Sequence, residues 1–388
     1  MTSNPVISML GRRLRLAVIG GGPGSFIGAM HRQSARFDDR FELVAGVLSS
    51  NPERARKAGL DLGLAPDRAY TDVINMLDAE MQREDGVDAV AIMTPNDSHF
   101  IYSMAALECG FDVICDKPMT NTLEDAEKLH QKVEESGLVF CLTHNYSGYS
   151  MVRQAKAMVM AGQIGTVRLV QVEYVQGGRA DESMPNNDAD WHYDPSKSGP
   201  SLVMGDIGSH AHHLLRFVTG LEVAEVSAEV GHIVPGRRVD DFAGALLRMD
   251  NGARGTYFVT QAAAGVENSL GFRVCGTKGS LEWMQELPQV LTFKPLGEPA
   301  QTRTPNGPDS LPLAVYSCRV VAGHPGGFNE GFANIYADAS EAIAARRAGV
   351  EANPLAMYFP TSWDGLQGVR FAYSVIESSK ADGKWVEC

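Results

Sequence analysis

The chain has 388 residues, room for two domains at about 150 residues each. Hydrophobic residues make up 44% and charged residues 21%, the balance of a globular protein with large cores. A formal charge of −13, with no run of Lys and Arg, argues against the dense cationic footprint that nucleic-acid binding needs, and no apolar run approaches the roughly 20 residues of a membrane span.

Six cysteines, at 109, 115, 141, 275, 318 and 388, share no CxxC spacing and sit in apolar contexts, as in a reduced cytoplasmic protein. Arg12-Arg13 precedes an apolar stretch in the manner of a twin-arginine export signal. Arg15 interrupts that stretch and no small-residue cleavage site follows, so a cytoplasmic location is expected.

Residues 14–20 (LRLAVIG) predict a short buried strand, followed by Gly20-Gly21-Gly22-Pro23-Gly24 and a helical pattern to about residue 36. A second apolar strand spans 41–48 (FELVAGVL), and Pro52 opens a helix at a first-turn position where its missing N–H is harmless. Strands at 87–93, 112–115 and 138–143 alternate with helices at about 99–109 and 123–136, the latter with Thr122 placed to cap it. Continuous apolar strands alternating with helices define a doubly wound parallel sheet covered on both faces.

After Asn145 the pattern changes. One helix spans about 150–161, then alternating strands follow at 167–175, 224–234, 242–249, 253–261, 272–275, 280–284 and 290–295. Turn signals such as Asp250-Asn251-Gly252 and Thr277-Lys278-Gly279 divide them. Residues 296–327 read as a long excursion, and helices at about 329–347 and 365–379 close the chain. The expected architecture is α/β: a doubly wound Rossmann domain over 1–145, then an α+β domain over 146–388 with a large, mostly antiparallel open sheet. An open sheet with one uncovered face exposes an apolar patch, so a homo-oligomer is expected.

Strand, glycine loop and helix form the geometry in which backbone N–H groups receive a pyrophosphate, and glycine permits both close approach and positive φ. The spacing allows two registers. From Gly20 the third glycine position falls on Ser25, whereas Gly22, Gly24 and Gly28 give a variant one residue longer, and Pro23 stiffens the turn. At the end of the second strand an acid would bind the adenosine ribose and repel a 2′-phosphate. Here stand Ser49-Ser50-Asn51, with Arg54 on the next helix, so the cofactor is read as NAD or NADP, with NAD favoured.

Three further groups fall at strand ends or in the second domain: Thr94-Pro95-Asn96 with His99, Asp116-Lys117-Pro118, and Gly205-Asp206-Ile207-Gly208-Ser209-His210. In this order they resemble the Gfo/Idh/MocA oxidoreductase family, above all its inositol and sugar dehydrogenases. The resemblance covers nearly the whole chain. It implies Lys117 beside the nicotinamide and the reacting hydroxyl, His210 as general base, and Asp206 holding a neighbouring hydroxyl or orienting His210. A regular helix would put Asp206 and His210, four residues apart, on one face. The resemblance also assigns Phe26, Ile27, Thr94, Pro95, Asn96, His99, Asp116 and Asn145 to the cofactor, and His144, Tyr149 and His324 to the substrate, His324 in the pocket of its own or a neighbouring subunit; Arg179 and Trp191 are further substrate candidates. Trp191 follows a polar segment, as suits stacking on a sugar ring. The chain departs from the family in having Asp116 for the usual Glu, and in His144-Asn145-Tyr146 at the end of the last parallel strand.

His210-Ala211-His212-His213 could suggest a metal, but i, i+2 and i+3 do not converge and no Cys is near, so none is expected. Asp206 could also serve as a helix cap. The function expected is oxidation of a secondary hydroxyl of a cyclic polyol or sugar to a ketone, in a homodimer or homotetramer. Two alternatives share the fold: a non-catalytic nucleotide sensor, which has no need of Lys117, Asp206 and His210 together, and a glycoside-processing enzyme that recycles NAD internally.

Overall fold

The computed structural model describes residues 4–188 and 190–388. The chain forms two compact units. The first comprises residues up to Thr120, Glu124–Asn145 and Asn329–Leu366, and the second Asn121–Leu123, Tyr146–Phe328 and Gln367–Cys388. A change of unit after Asn145 is thus followed by a return to the first unit after Phe328, which a single boundary does not describe.

The first unit is built on β1 (Leu14–Gly20), β2 (Phe41–Val47), β3 (Ala89–Met93), β4 (Asp112–Cys115) and β5 (Phe140–Leu142), all parallel, in the spatial order β2-β1-β3-β4-β5. Between them run α2 (Phe26–Phe37), α3 (Pro52–Asp61), α4 (Val73–Met81), α5 (His99–Glu108) and α6 (Leu123–Ser136), with α1 (Pro5–Leu10) preceding β1. Neither α1 nor α4 stands out in the apolar pattern, because both are short. Each is defined by its cap: Asn4 accepts from the Val6 and Ile7 N–H groups, and Asp72 from that of Asn75. Strand order reverses between β1 and β3, and in such sheets that reversal opens a crevice at the carboxyl ends of the strands.

The late helix α11 (Phe328–Ala348) is buried at every position from Gly331 to Ala345, with alanine at many of them. Such all-round burial marks a core helix rather than an amphipathic cover. Polar ties hold it within the first unit: the Tyr336 hydroxyl lies 2.7 Å from His31 Nδ1, and Arg346 reaches Asp112 at 2.7 Å. Asp88, almost wholly buried, takes a two-pronged Arg12 at 2.6 and 3.0 Å, the Arg15 N–H at 2.7 Å and Arg347 at 2.6 Å. Burial alone would raise this carboxyl. The Arg12 and Arg15 hydrogen bonds and the Arg347 charge instead hold it below its ordinary value.

In the second unit, nine strands form one sheet: β6 (Val167–Val175), β7 (Val223–Gly231), β8 (Phe242–Met249), β9 (Arg254–Thr260), β10 (Ser269–Gly276), β11 (Gly279–Met284), β12 (Leu291–Pro295), β13 (Gln301–Arg303) and β14 (Val386–Glu387). Their order is β13-β12-β11-β10-β6-β9-β8-β7-β14, antiparallel throughout except where β6 runs parallel to β9. Along β6, Val170, Val172 and Tyr174 point into the core, joined by Met151, Val152, Ala155 and Met158 of α7 (Ser150–Met160). Short helices α8 (Pro195–Ser198) and α10 (Pro312–Tyr316) lie in the connections. Ala211, Leu214, Leu215 and Val218 of α9 (Ser209–Thr219), and Phe371 and Val375 of α12 (Ser362–Lys380), complete the core. Leu169, Leu246, Phe258 and Met284, also on the sheet, are exposed.

Candidate functional site

In the first unit the glycine loop joins β1 to α2. Gly20, Gly21 and Gly24 hold left-handed φ of 82°, 63° and 87°. A Cβ on Gly20 would come within 2.7 Å of the Met93 carbonyl at the end of β3. One on Gly22 would strike the Leu48 carbonyl after β2, and one on Gly28 the Gly21 backbone. Glycines therefore serve two purposes: turning the chain, and letting α2 lie against the strand ends. Gly21 and Gly28 belong to this group although the fingerprint register does not single out Gly21. Ser25 caps α2, its hydroxyl accepting from the Gly28 N–H at 3.1 Å. Pro23, Gly24 and Phe26 are exposed and Ile27 half-buried, leaving the first turn of α2 open to a ligand. That is the arrangement a pyrophosphate requires.

Beyond β2, Ser49 Oγ accepts from the Asn51 N–H at 3.2 Å, and the Asn51 side chain caps α3 through the Arg54 N–H at 3.0 Å. Arg54 itself is exposed. At the end of β3, the Ser98 hydroxyl donates to Thr94 Oγ1 at 2.8 Å, and Asn96 is buried. His99 is buried with Nδ1 2.8 Å from the Pro118 carbonyl and Nε2 2.9 Å from that of Thr94. Named among the cofactor contacts, it braces Thr94-Pro95 against Lys117-Pro118 through its two ring nitrogens. Burial pushes its pKa down, with Asp116 opposing.

Asp116, at the end of β4, is buried. Its Oδ1 accepts from the Lys117 N–H at 2.9 Å and the Thr143 hydroxyl at 2.8 Å, while Oδ2 faces His31 Nε2 at 3.9 Å. Burial would raise this carboxyl, but His31, Lys117 and His99 hold it far below its ordinary value. Lys117 is half-buried. After β5 come His144 and Asn145, both buried, and Asn145 Nδ2 has no hydrogen-bond partner. A cradle shaped by absent Cβ atoms, together with an orphaned donor after the last strand of the same parallel sheet, fits a dinucleotide.

In the second unit a single π turn, Met204–Gly208, runs into α9. Asp206 and His210 are therefore related across a widened turn, not across the regular helix expected from their spacing. Such π turns recur at functional sites. Asp206 does not cap α9: its Oδ2 accepts from Gln261 Nε2 at 2.7 Å. His210 is buried, edge-on to the rings of Tyr146 (4.9 Å) and Tyr174 (6.3 Å). The hydroxyls of Tyr146 and Tyr174 are 2.6 Å apart, and Tyr174 donates to Asn268 Oδ1 at 2.8 Å. Burial, with Tyr146 and Asp206 nearby, keeps Tyr174 protonated well above its ordinary pKa. Tyr149 stacks on Tyr146, and its hydroxyl accepts from Gln285 at 3.5 Å.

A cleft of about 580 Å³ in this unit is lined by Arg179, Asp190, Tyr193, Asp206, Gln176 and Gln261, among others. Arg179, a candidate for the substrate, is among the lining residues. The aromatic wall, however, is Tyr193: Trp191 instead stacks on His192, 3.8 Å away. His324 is exposed in a loop, with Nδ1 3.1 Å from the Val321 carbonyl, and is not among the lining residues. Sequence reasoning missed Gln176, Tyr193 and Gln261. The signals available were weak: Gln176 and Gln261 each follow a strand end, and Tyr193 stands two residues after Trp191. His212 lies flat on Phe371 at 4.2 Å, and burial pushes its pKa well down; His213 packs on Phe217. Among the described residues no cluster of His, Cys, Asp or Glu is arranged to hold a metal ion.

A Rossmann unit with a dinucleotide loop, joined to a sheet unit with a polar cleft, defines a two-domain dehydrogenase-type oxidoreductase. Residues 14–144 match the oxidoreductase family's NAD-binding Rossmann fold, and residues 152–282 match the GFO/IDH/MocA C-terminal domain. The chain is 32% identical to the uncharacterized oxidoreductase YfiI of Bacillus subtilis over 98% of each chain. It is also similar to an oxidoreductase from Sinorhizobium meliloti, with 45% identity, 97% and 99% of the two chains covered, and a TM-score of 0.87. An inositol dehydrogenase homolog from Azotobacter vinelandii, complexed with NADH and myo-inositol, gives 32% identity, 98% and 99% coverage, and a TM-score of 0.90. The chain belongs to the Gfo/Idh/MocA oxidoreductase family, and its N-terminal unit is an NAD-binding Rossmann domain.

Proposed function

We propose that the protein oxidises one secondary hydroxyl of a cyclic polyol or pyranose to a ketone, reversibly, with NAD preferred over NADP. The observation that carries this reading is the Asp206–Gln261 hydrogen bond beside buried His210, in a chain whose first unit binds NAD. When bound, NAD supplies the hydride acceptor. The glycine loop and the first turn of α2 hold its pyrophosphate, and Ser49, Ser50 and Asn145 offer polar contacts. His210 takes the hydroxyl proton, imidazole being the side chain suited to exchanging protons at neutral pH. Asp206, steadied by Gln261, accepts a hydrogen bond from the substrate or orients His210. Lys117 stabilises the developing alkoxide.

The exposed sheet residues Leu169, Leu246, Phe258 and Met284 support pairing of copies into a dimer or tetramer, which sedimentation tests. A cytoplasmic location is part of the same reading. The experiment for the activity is NAD(P)H absorbance with inositols, hexoses and pentoses. Turnover with an inositol or a pyranose is expected. Nucleotide binding without turnover on any of them would favour the sensor or the internally recycled cofactor.

A further inference from the structure

The cleft of the second unit has an unbalanced chemistry. Its lining carries three carboxylates, Asp181, Asp190 and Asp206, against one cation, Arg179. That cation is already committed: Nη1 lies 3.3 Å from Asp190 Oδ2, and the guanidinium sits 4.8 Å over the Tyr193 ring. Asp181 is fixed separately, Oδ1 accepting from the Ser183 N–H at 2.8 Å and the Ser183 hydroxyl at 2.7 Å. A phosphate or carboxylate entering here meets net negative charge and no uncommitted guanidinium among the lining residues.

Gln261 gives an independent observation. It lines the cleft, is only 4% exposed, and its Nε2 lies 2.7 Å from Asp206 Oδ2 and 3.3 Å from Gln176 Oε1. Both neighbours are acceptors, so the amide must turn its NH₂ toward them. Its Oε1 is left with no donor. A buried acceptor in that state is relieved by a hydroxyl or an ammonium, and an anionic oxygen worsens it.

We infer that this cleft admits uncharged or amino-bearing polyols and excludes sugar phosphates and sugar acids. The inference deepens the proposed dehydrogenase reading and rests on it for the reaction, while the ligand preference follows from the cleft alone. Asp190 is the residue that withholds Arg179 from anions. Asp190→Asn leaves the guanidinium without its carboxylate and keeps an amide able to cap the His192 N–H.

The test offers the full-length protein four matched ligands: a pyranose, its 2-amino-2-deoxy analogue, its 6-phosphate and its uronic acid. Turnover is followed by NAD(P)H absorbance, and binding by calorimetry in the presence of NADH. The expected result is that the neutral and amino ligands exceed both anions by roughly 100-fold in kcat/KM or affinity, since facing like charges oppose binding strongly. Asp190→Asn is expected to narrow that gap by about tenfold. Anions equal to or better than the neutral pyranose would overturn the inference while leaving the dehydrogenase reading intact. Binding of the neutral or amino ligand in preference to both anions, with no turnover of it or of the inositols, would uphold the inference and remove the reading. Binding of none of the four, with no turnover of an inositol, would overturn both.

Discussion

In the proposed function the two units recognise their ligands by opposite means. In the first unit recognition belongs to the backbone: Gly20, Gly21, Gly22 and Gly28 are needed for what they lack, and the nearby side chains of Ser25, Asn51 and His99 are spent on capping and bracing. In the second unit recognition belongs to side chains: Asp206, Gln261, Gln176 and Arg179 converge from different elements on one cleft. A pyrophosphate is the same in every dinucleotide, so main-chain N–H groups at a helix start suffice. Substrate hydroxyls differ in number and handedness, and only placed side chains can read them.

This contrast can be broken most sharply where side chains carry the chemistry. Lys117→Ala and His210→Ala should each lower kcat/KM by about 10²–10⁴-fold, with folding intact by circular dichroism. Near-normal turnover in either variant would remove its role. Next in size is the backbone cradle. Gly22→Val drives a side chain onto the Leu48 carbonyl, so NAD binding measured by fluorescence should weaken by about ten- to a hundredfold.

A smaller effect concerns stability. The Asp88 carboxyl is depressed below its ordinary 3.8 in the folded protein, so its contribution is present above that value and is lost as pH falls through the lower folded one. Asp88→Asn should cost about 1–3 kcal/mol at pH 7 in urea denaturation, and the gap to the parent should close in acid. An equal gap at pH 7 and pH 3 would contradict the assignment. The smallest effect is expected at Arg54, exposed on α3: Arg54→Ala should change the NADP/NAD preference by only about two- to fivefold, the range of exposed charges. A larger loss of NADP use would show that a side chain, and not the backbone alone, reads this end of the cofactor.

Much of the architecture is legible in the sequence because it is local. The alternation of buried residues in β6 and β8, the all-apolar β3, and the Pro52 and Asn51 start of α3 each follow from neighbours a few positions apart. The elements that escape are those with little local signal. α1 and α4 have too few turns for a pattern, and the two-residue β14 exists only by pairing with β7. In the candidate site, Lys117, Asp206 and His210 stand out by motif. Gln261 does not, since a glutamine past a strand end has no distinctive spacing.

The sequence by itself determined the class of the protein: a glycine loop between an apolar strand and a helix, an acid-Lys-Pro turn, and an Asp-x-x-x-His turn are patterns of covalent order, readable without coordinates. Tertiary structure decided the rest. It made His99 a brace between two carbonyls, set a π turn between Asp206 and His210, and put Tyr193 on the cleft wall while Trp191 stacks on His192. It also returned α11 to the first unit, nearly 200 residues after the chain had left it. The physical reason is that burial, and partners such as Pro118 for His99 and Gln261 for Asp206, are brought by segments distant in the chain, which no local pattern records.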